Sequence, residues 1–363
     1  MASRSYSALS LYSGAGGLDL GFKRADVDLL WAIDNDPSAI DTYRLHVDSR
    51  AVCGDVLRVE PPPQLQPDIV IGGPPCQGFS VIGRMDPRDP RSEHVFHFLD
   101  VVDRYKPAAF VMENVKALGA SPRWAGLRDQ LLERAKAMGY TPRIFILNAS
   151  HFDVPQARER MFLIGLRGGT PSEPEATTKE SPPTVRQALT KLPPFGQPGN
   201  DSACTARVVP ARFPVMRPSA HKGSLLFNGS GRPLDLDAPA KTLPASMSGN
   251  ATPIIDQDEL EHGAEPWVVE YHARLLAGGR PRKTAPRRMR RITVEEAAAL
   301  QTFPQSTRFA GRRVAQYRQI GNAVPPNLAY AVARAVVADL QRLNDETRDS
   351  ASSVARDKSR LAA

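Results

Sequence analysis

Four side chains in this sequence sit where ordinary packing does not explain them: Cys76, Glu113, Arg158 and Arg160. Cys76 lies in Pro74-Pro75-Cys76-Gln77-Gly78-Phe79-Ser80, directly after the apolar run DIVIG at 68–72. A free cysteine is more often a buried core residue than a reagent. Fixed between prolines and a glycine at the open end of a strand, this one is placed as a thiolate nucleophile. Glu113-Asn114 follows a second apolar run, 108–112. Taken alone this pair is a helix cap, but an acid at a strand end beside a nucleophile loop can protonate or hydrogen-bond a ring nitrogen. Arg158 and Arg160 alternate on an extended segment ahead of the run 161–166. Alternation puts them on one face, where they could hold a carbonyl oxygen and the cysteine loop; the plain alternative is a solvated edge strand. Cys53, in Ala51-Val52-Cys53, reads as core, and Cys204 has no supporting motif. Three separated cysteines without a CxxC pair argue against a disulfide framework and a zinc site, so no metal is expected.

A second constellation suits a nucleoside cofactor. Tyr12-Ser13-Gly14-Ala15-Gly16-Gly17 follows an apolar run, and its glycines allow close approach to backbone. Asp34, with Asn35 after it, ends the next run and could accept hydrogen bonds from ribose hydroxyls. Asp55, in Gly54-Asp55-Val56, could meet an adenine amino group. An ordinary turn with solvated acids, or a nicotinamide dehydrogenase, is the competing explanation; the loop is not a full GxGxxG.

These residues need strand ends to hold them. Short apolar runs at 8–12, 29–33, 68–72, 108–112, 143–147 and 161–166 alternate with helical patterns, notably 95–105 and 124–138. That alternation predicts an α/β domain with a mostly parallel sheet and helices on both faces, whose ligands bind at the carboxyl ends of the strands. From 168 to about 280 proline, glycine, serine and threonine dominate and periodicity fades, which predicts a smaller, irregular, β-containing domain. Residues 281–343 return to the first domain, with a helix over 293–301 started by a Thr293/Glu296 capping box and a last helix over 326–343. Residues 344–363 read as a disordered tail. With 363 residues the chain can bury a large core, and its +8 charge suits a polyanionic partner without proving one. No apolar run approaches a membrane span and Met1–Ser10 lacks a secretory signal, so no membrane partner and a cytoplasmic location are expected.

The runs LYSGAGGLDLGF, DIVIGGPPCQGFS, FVMENV, PQARERMFLIG, RRITVEEAAALQTFP and QYRQIGNAVPPN resemble, in order, the DNA (cytosine-5)-methyltransferase family of bacterial restriction-modification type. The match spans 8 to about 335, apart from the variable middle. The resemblance implies a Rossmann-like methyltransferase sheet and methyl transfer from S-adenosylmethionine to carbon 5 of a flipped-out cytosine through a Cys76 adduct. It implies that Glu113 engages the cytosine at N3 and the exocyclic amine, that Asn114 braces the cysteine loop, and that Arg158 and Arg160 form the arginine pair. The second arginine would reach the cytosine carbonyl. Gly14, Gly16 and Gly17 would surround the methionine portion of the cofactor, Asp34 the ribose and Asp55 the adenine, with Ser13, Asn35 and Val56 also in the cofactor-binding set. Tyr12, Pro75 and Asn322 would complete the pocket. Tyr12 stands where phenylalanine is frequent, Asn35 where an aromatic ring can lie, His94 where leucine is common and Ala323 where serine is.

Residues 168–280 occupy the position of the target recognition domain, with Thr242-Leu243 matching a short element found there. Residues 78–94 resemble a mobile loop that closes on DNA. Gln77, Ser80, Arg84, Thr242, Arg282 and Lys283 are the candidate DNA contacts. The expected partner is double-stranded DNA, met by a monomer; a cognate restriction endonuclease would share the site without a stable complex. A tRNA methyltransferase, and a DNA-binding regulator with a dead catalytic fold, are the rivals.

Overall fold

The computed structural model describes residues 5–75, 93–214 and 233–361, with side chains to Asp349. Eleven strands are present among these residues: β1 (Tyr6–Leu11), β2 (Val27–Asp34), β3 (Val52–Cys53), β4 (Ile69–Gly72), β5 (Ala109–Val115), β6 (Thr141–Asn148), β7 (Gln156–Ala157), β8 (Glu159–Leu166), β9 (Ala240–Lys241), β10 (Ile254–Asp256) and β11 (Met289–Arg291). Seven form one sheet in the order β3-β2-β1-β4-β5-β8-β6. β1 pairs in parallel with β2 and β4, β4 with β5, and β2 with β3. β8 runs antiparallel to both β5 and β6, so the sheet is mostly parallel, with one reversed strand.

All four residues of β4 are buried, as a central strand covered on both faces requires. One face packs Ala8, Ile69, Ile71 and Val111 against Leu18 and Phe22 of helix Gly17–Arg24 and against Leu328, Val332 and Val336 of the last helix. The opposite face packs Leu9, Val70, Phe110 and Met112 against Phe98 and Val102 of helix Glu93–Tyr105 and Leu131 of helix Ala125–Ala137. Helix Pro37–His46 starts where the Asp36 carboxylate accepts from Ser38 N and Ala39 N.

The stretch from 168 onward holds β9, β10 and β11 and also helices Val185–Leu189, Gln257–His262 and Trp267–Leu276, which its composition hides. The Thr293/Glu296 capping box is present at the head of helix Val294–Leu300. The last helix extends past Leu343. It runs Pro326–Leu361, because no glycine or proline follows Pro326 to end it and Arg342 pairs with Asp339 and Glu346 one turn to either side. Cys53 is exposed rather than core, since the two-residue β3 lies at the sheet edge. No helix among the described residues is long and apolar enough to cross a membrane.

Candidate active site

The strand ends converge as the chemistry requires. β4 runs out into Gly73-Pro74-Pro75, and Cys76 lies outside the described residues, as do Gln77, Ser80, Arg84 and the run 78–92. Beside that exit, Glu113 stands near the end of β5, and Arg160 sits near the start of its antiparallel neighbour β8. The antiparallel register brings Arg160 Nε to 2.9 Å from Glu113 Oε1, with both side chains largely buried. A Cβ built on Gly73 would stand 3.0 Å from Glu113 Oε2, so the carboxylate lies against the segment that leads to Cys76. Asn114 Nδ2 donates to Pro74 O at 3.1 Å, which holds the same segment. Burial pushes the Glu113 carboxyl above its ordinary range, and Arg160 and Arg158 pull only partly the other way.

Arg158 stands between β7 and β8. β7 ends at Ala157, where Arg158 N bonds back to Gln156 O, and Ala149 N donates to Arg158 O, so the pairing with the β6 edge continues through Arg158. The buried guanidinium donates to Leu243 O at 2.9 Å and Gly321 O at 2.7 Å. Gln156 works beside it: its Oε1 accepts from Leu243 N at 2.9 Å. Sequence reasoning missed Gln156, whose only signal was a polar residue at a buried strand position.

The glycine loop has one open side and one closed side. Gly14 has φ 54, and a Cβ there would meet nothing within 4 Å, which leaves room against the backbone. A Cβ on Gly17 would stand 2.3 Å from Val324 O, so only glycine lets the loop rest on the segment after Asn322. Asp34 ties the loop down, accepting from Gly14 N and Asp36 N at 2.8 Å each. Ser13 N donates to Ile33 O. Burial raises the Asp34 carboxyl. Asp55 is exposed and accepts from Leu57 N; Val56 is buried, Pro75 half-buried, and Asn35 and Asn322 exposed. Tyr12, half-buried, points its hydroxyl at His94. The surroundings fit a nucleoside cofactor: an open glycine turn, with the carboxylates of Asp34 and Asp55 at neighbouring strand ends.

The family model for C-5 cytosine-specific DNA methylases matches residues 6–338. The chain belongs to that family. The methylase is similar to the type II methyltransferase M1.HphI of Haemophilus parahaemolyticus, 34% identical over 344 residues that cover 92% of this chain and 87% of that one. It is also similar to M.XorII of Xanthomonas oryzae pv. oryzae, 31% identical over 377 residues, covering 92% and 85%. Among solved structures, the Entamoeba histolytica methyltransferase EhMeth shares the fold, with TM-score 0.66 at 16% identity over 93% of this chain and 99% of its own.

Within the methylase, the Thr242-Leu243 element is fastened to the active-site strands. β9 pairs in parallel with β7, and Thr242 Oγ1 donates to Ala157 O at 3.1 Å. The basic run 280–291 divides in two by partner. Arg288 pairs with Asp256 and Asp258, Arg290 pairs with Glu296, and buried Arg291 donates to Thr252 O. These arginines support β10, β11 and the capping box. Arg282 and Lys283 are exposed, and the Arg282 backbone N–H donates to the Tyr271 hydroxyl.

Proposed function

We propose that this methylase transfers a methyl group from S-adenosylmethionine to carbon 5 of a cytosine flipped out of duplex DNA, as the modification half of a type II restriction-modification pair. The observation that carries this reading is the buried Glu113–Arg160 pair beside Gly73, with Asn114 holding Pro74 two residues ahead of Cys76. Bound S-adenosylmethionine supplies an electrophilic methyl group. The glycine loop with Ser13, Asp34 and Asp55 would hold that cofactor, beside Tyr12, Asn35, Val56, Pro75 and Asn322.

Carbon 5 of cytosine is a poor nucleophile until its ring loses aromaticity. Attack of the Cys76 thiolate on carbon 6 does this and leaves carbon 5 enamine-like. Glu113, whose carboxyl is shifted toward the protonated form by its enclosure, donates to N3 and neutralises the charge that develops on the ring. Arg160 orients Glu113 and has donors left for the cytosine carbonyl oxygen. Loss of the carbon-5 proton then restores the double bond and expels Cys76 as thiolate. A stacked base is out of reach of this chemistry, so the cytosine must leave the helix.

The test is methyl incorporation from labelled cofactor into duplex DNA, with tRNA as the competing substrate. Cys76→Ser should abolish incorporation while DNA and cofactor still bind. Wild type should form a covalent complex with DNA carrying 5-fluorocytosine, which cannot release its carbon-5 substituent. Near-normal turnover by Cys76→Ser, or no adduct, would refute the mechanism.

A further inference from the structure

Tyr12 and His94 meet across the wall that Asp55 also borders. The Tyr12 hydroxyl oxygen lies 3.1 Å from His94 Nδ1 and 3.3 Å from the His94 carbonyl oxygen. Their rings meet edge to face, centroids 5.5 Å apart at 82°. Tyr12 reaches this contact from a left-handed backbone with φ 55, a conformation that is unfavourable for a bulky residue and persists only when its surroundings hold it. His94 is the second residue of helix Glu93–Tyr105.

Among the described residues, four groups face this imidazole. Tyr12 approaches from the end of β1, Asp55 from the loop after β3, and Glu93 and His97 lie on its own helix. The two carboxylates favour the imidazolium and His97 disfavours it. Burial outweighs them and holds His94 below its ordinary range. We propose that His94 is a positioning residue of the cofactor pocket, whose neutral ring sets the Tyr12 side chain, so that filling the pocket and protonating His94 oppose each other. The physical ground is desolvation. A ligand against Tyr12 and Asp55 strips more water from this wall, which raises the cost of a cation there; linkage then makes the proton weaken the ligand. A phenylalanine and a leucine at these two positions would pack without this coupling.

The inference rests on the cofactor reading, and one titration separates the two. The full chain is titrated calorimetrically with S-adenosylhomocysteine, whose own charges stay constant from about pH 5 to about pH 7. Wild type should bind at pH 7 and weaken by up to ~tenfold per unit as pH falls below the His94 value. His94→Leu should flatten that profile. Tyr12→Phe should weaken binding by roughly threefold to tenfold at pH 7, as for one lost hydrogen bond. Added to His94→Leu it should cost clearly less than it does alone, because the two side chains act together and only the contact to the His94 carbonyl is left to lose. His94→Gln keeps an acceptor without a charge and should bind at every pH, which serves if His94→Leu misfolds. A slope that survives in both His94 variants, or additive losses in the double variant, would overturn the proposal. Failure of folded wild type to bind at any pH would remove the cofactor reading itself.

Discussion

Glu113 is the residue on which rate should depend most after Cys76. Its carboxyl is raised by burial, so the protonated form that donates to N3 persists to higher pH than for an ordinary glutamate. Turnover should therefore fall as pH rises through that raised value. Glu113→Gln should lose roughly 10²–10⁴-fold in turnover at nearly unchanged DNA affinity. A loss of DNA affinity with the chemical step intact would make Glu113 structural. A second buried acid makes a separate prediction. Asp19, which sequence reasoning passed over, accepts from the Tyr43 hydroxyl at 2.9 Å and is pushed up to about 6 by burial. Its folded value exceeds the unfolded one, so the folded state binds this proton more tightly. That contribution is full below the unfolded value and is lost as pH rises through about 6. Asp19→Asn keeps the acceptor for Tyr43 and should flatten the change in melting temperature between about pH 5 and about pH 8; an unaltered profile would exclude Asp19 as its source. Cys76 and Glu113 could be singled out in the sequence because each follows a short apolar run. Asp19 could not, because an acid in the first turn of a helix looks like a solvated cap until its neighbours are known.

Most strands and helices of the sheet domain were readable to within a few residues, since buried runs of four to eight apolar residues announce themselves. Direction was not readable in the same way: β8 is as apolar as the parallel strands of the sheet. The clue was the short connection from β6 to β8, too brief for a crossover and sufficient for an antiparallel return. The sequence did not show what the Arg158 side chain binds, because its partners are backbone carbonyls far away along the chain. Its guanidinium joins Leu243, just after β9, to the end of helix Arg313–Asn322 at Gly321. Arg158→Met should strand two buried carbonyls at about 1–3 kcal/mol each and lower the urea midpoint accordingly. It should also weaken cofactor and DNA binding together. An unchanged midpoint would mean that these carbonyls find other donors at no cost.

Across the whole molecule, a charge of +8 says little until the arginines are sorted by partner. Replacing Arg282 and Lys283 with alanine should weaken binding to all DNA sequences alike and reduce the salt slope by about one unit for each phosphate no longer neutralised. Arg290→Ala should act on stability instead. It would leave Glu296, 1% exposed, without its cation, at a cost of about 3–5 kcal/mol. An unchanged salt slope in the first variant would remove the phosphate role, and an unaltered melting point in the second would deny that the pair is structural. The contact between Gly17 and Val324 also bears on the order of synthesis. The glycine loop leaves the ribosome early, but the backbone it rests on is translated some 300 residues later, on the order of 15–60 s at ordinary elongation rates. Until then Leu18 and Phe22 lack the apolar helix that covers them, so a nascent or prematurely terminated chain has an exposed half-core and no finished floor beneath its first loop. Competence to modify DNA is thus withheld until translation is nearly over, and chains cut short are marked for chaperones and proteases by the surface they leave bare.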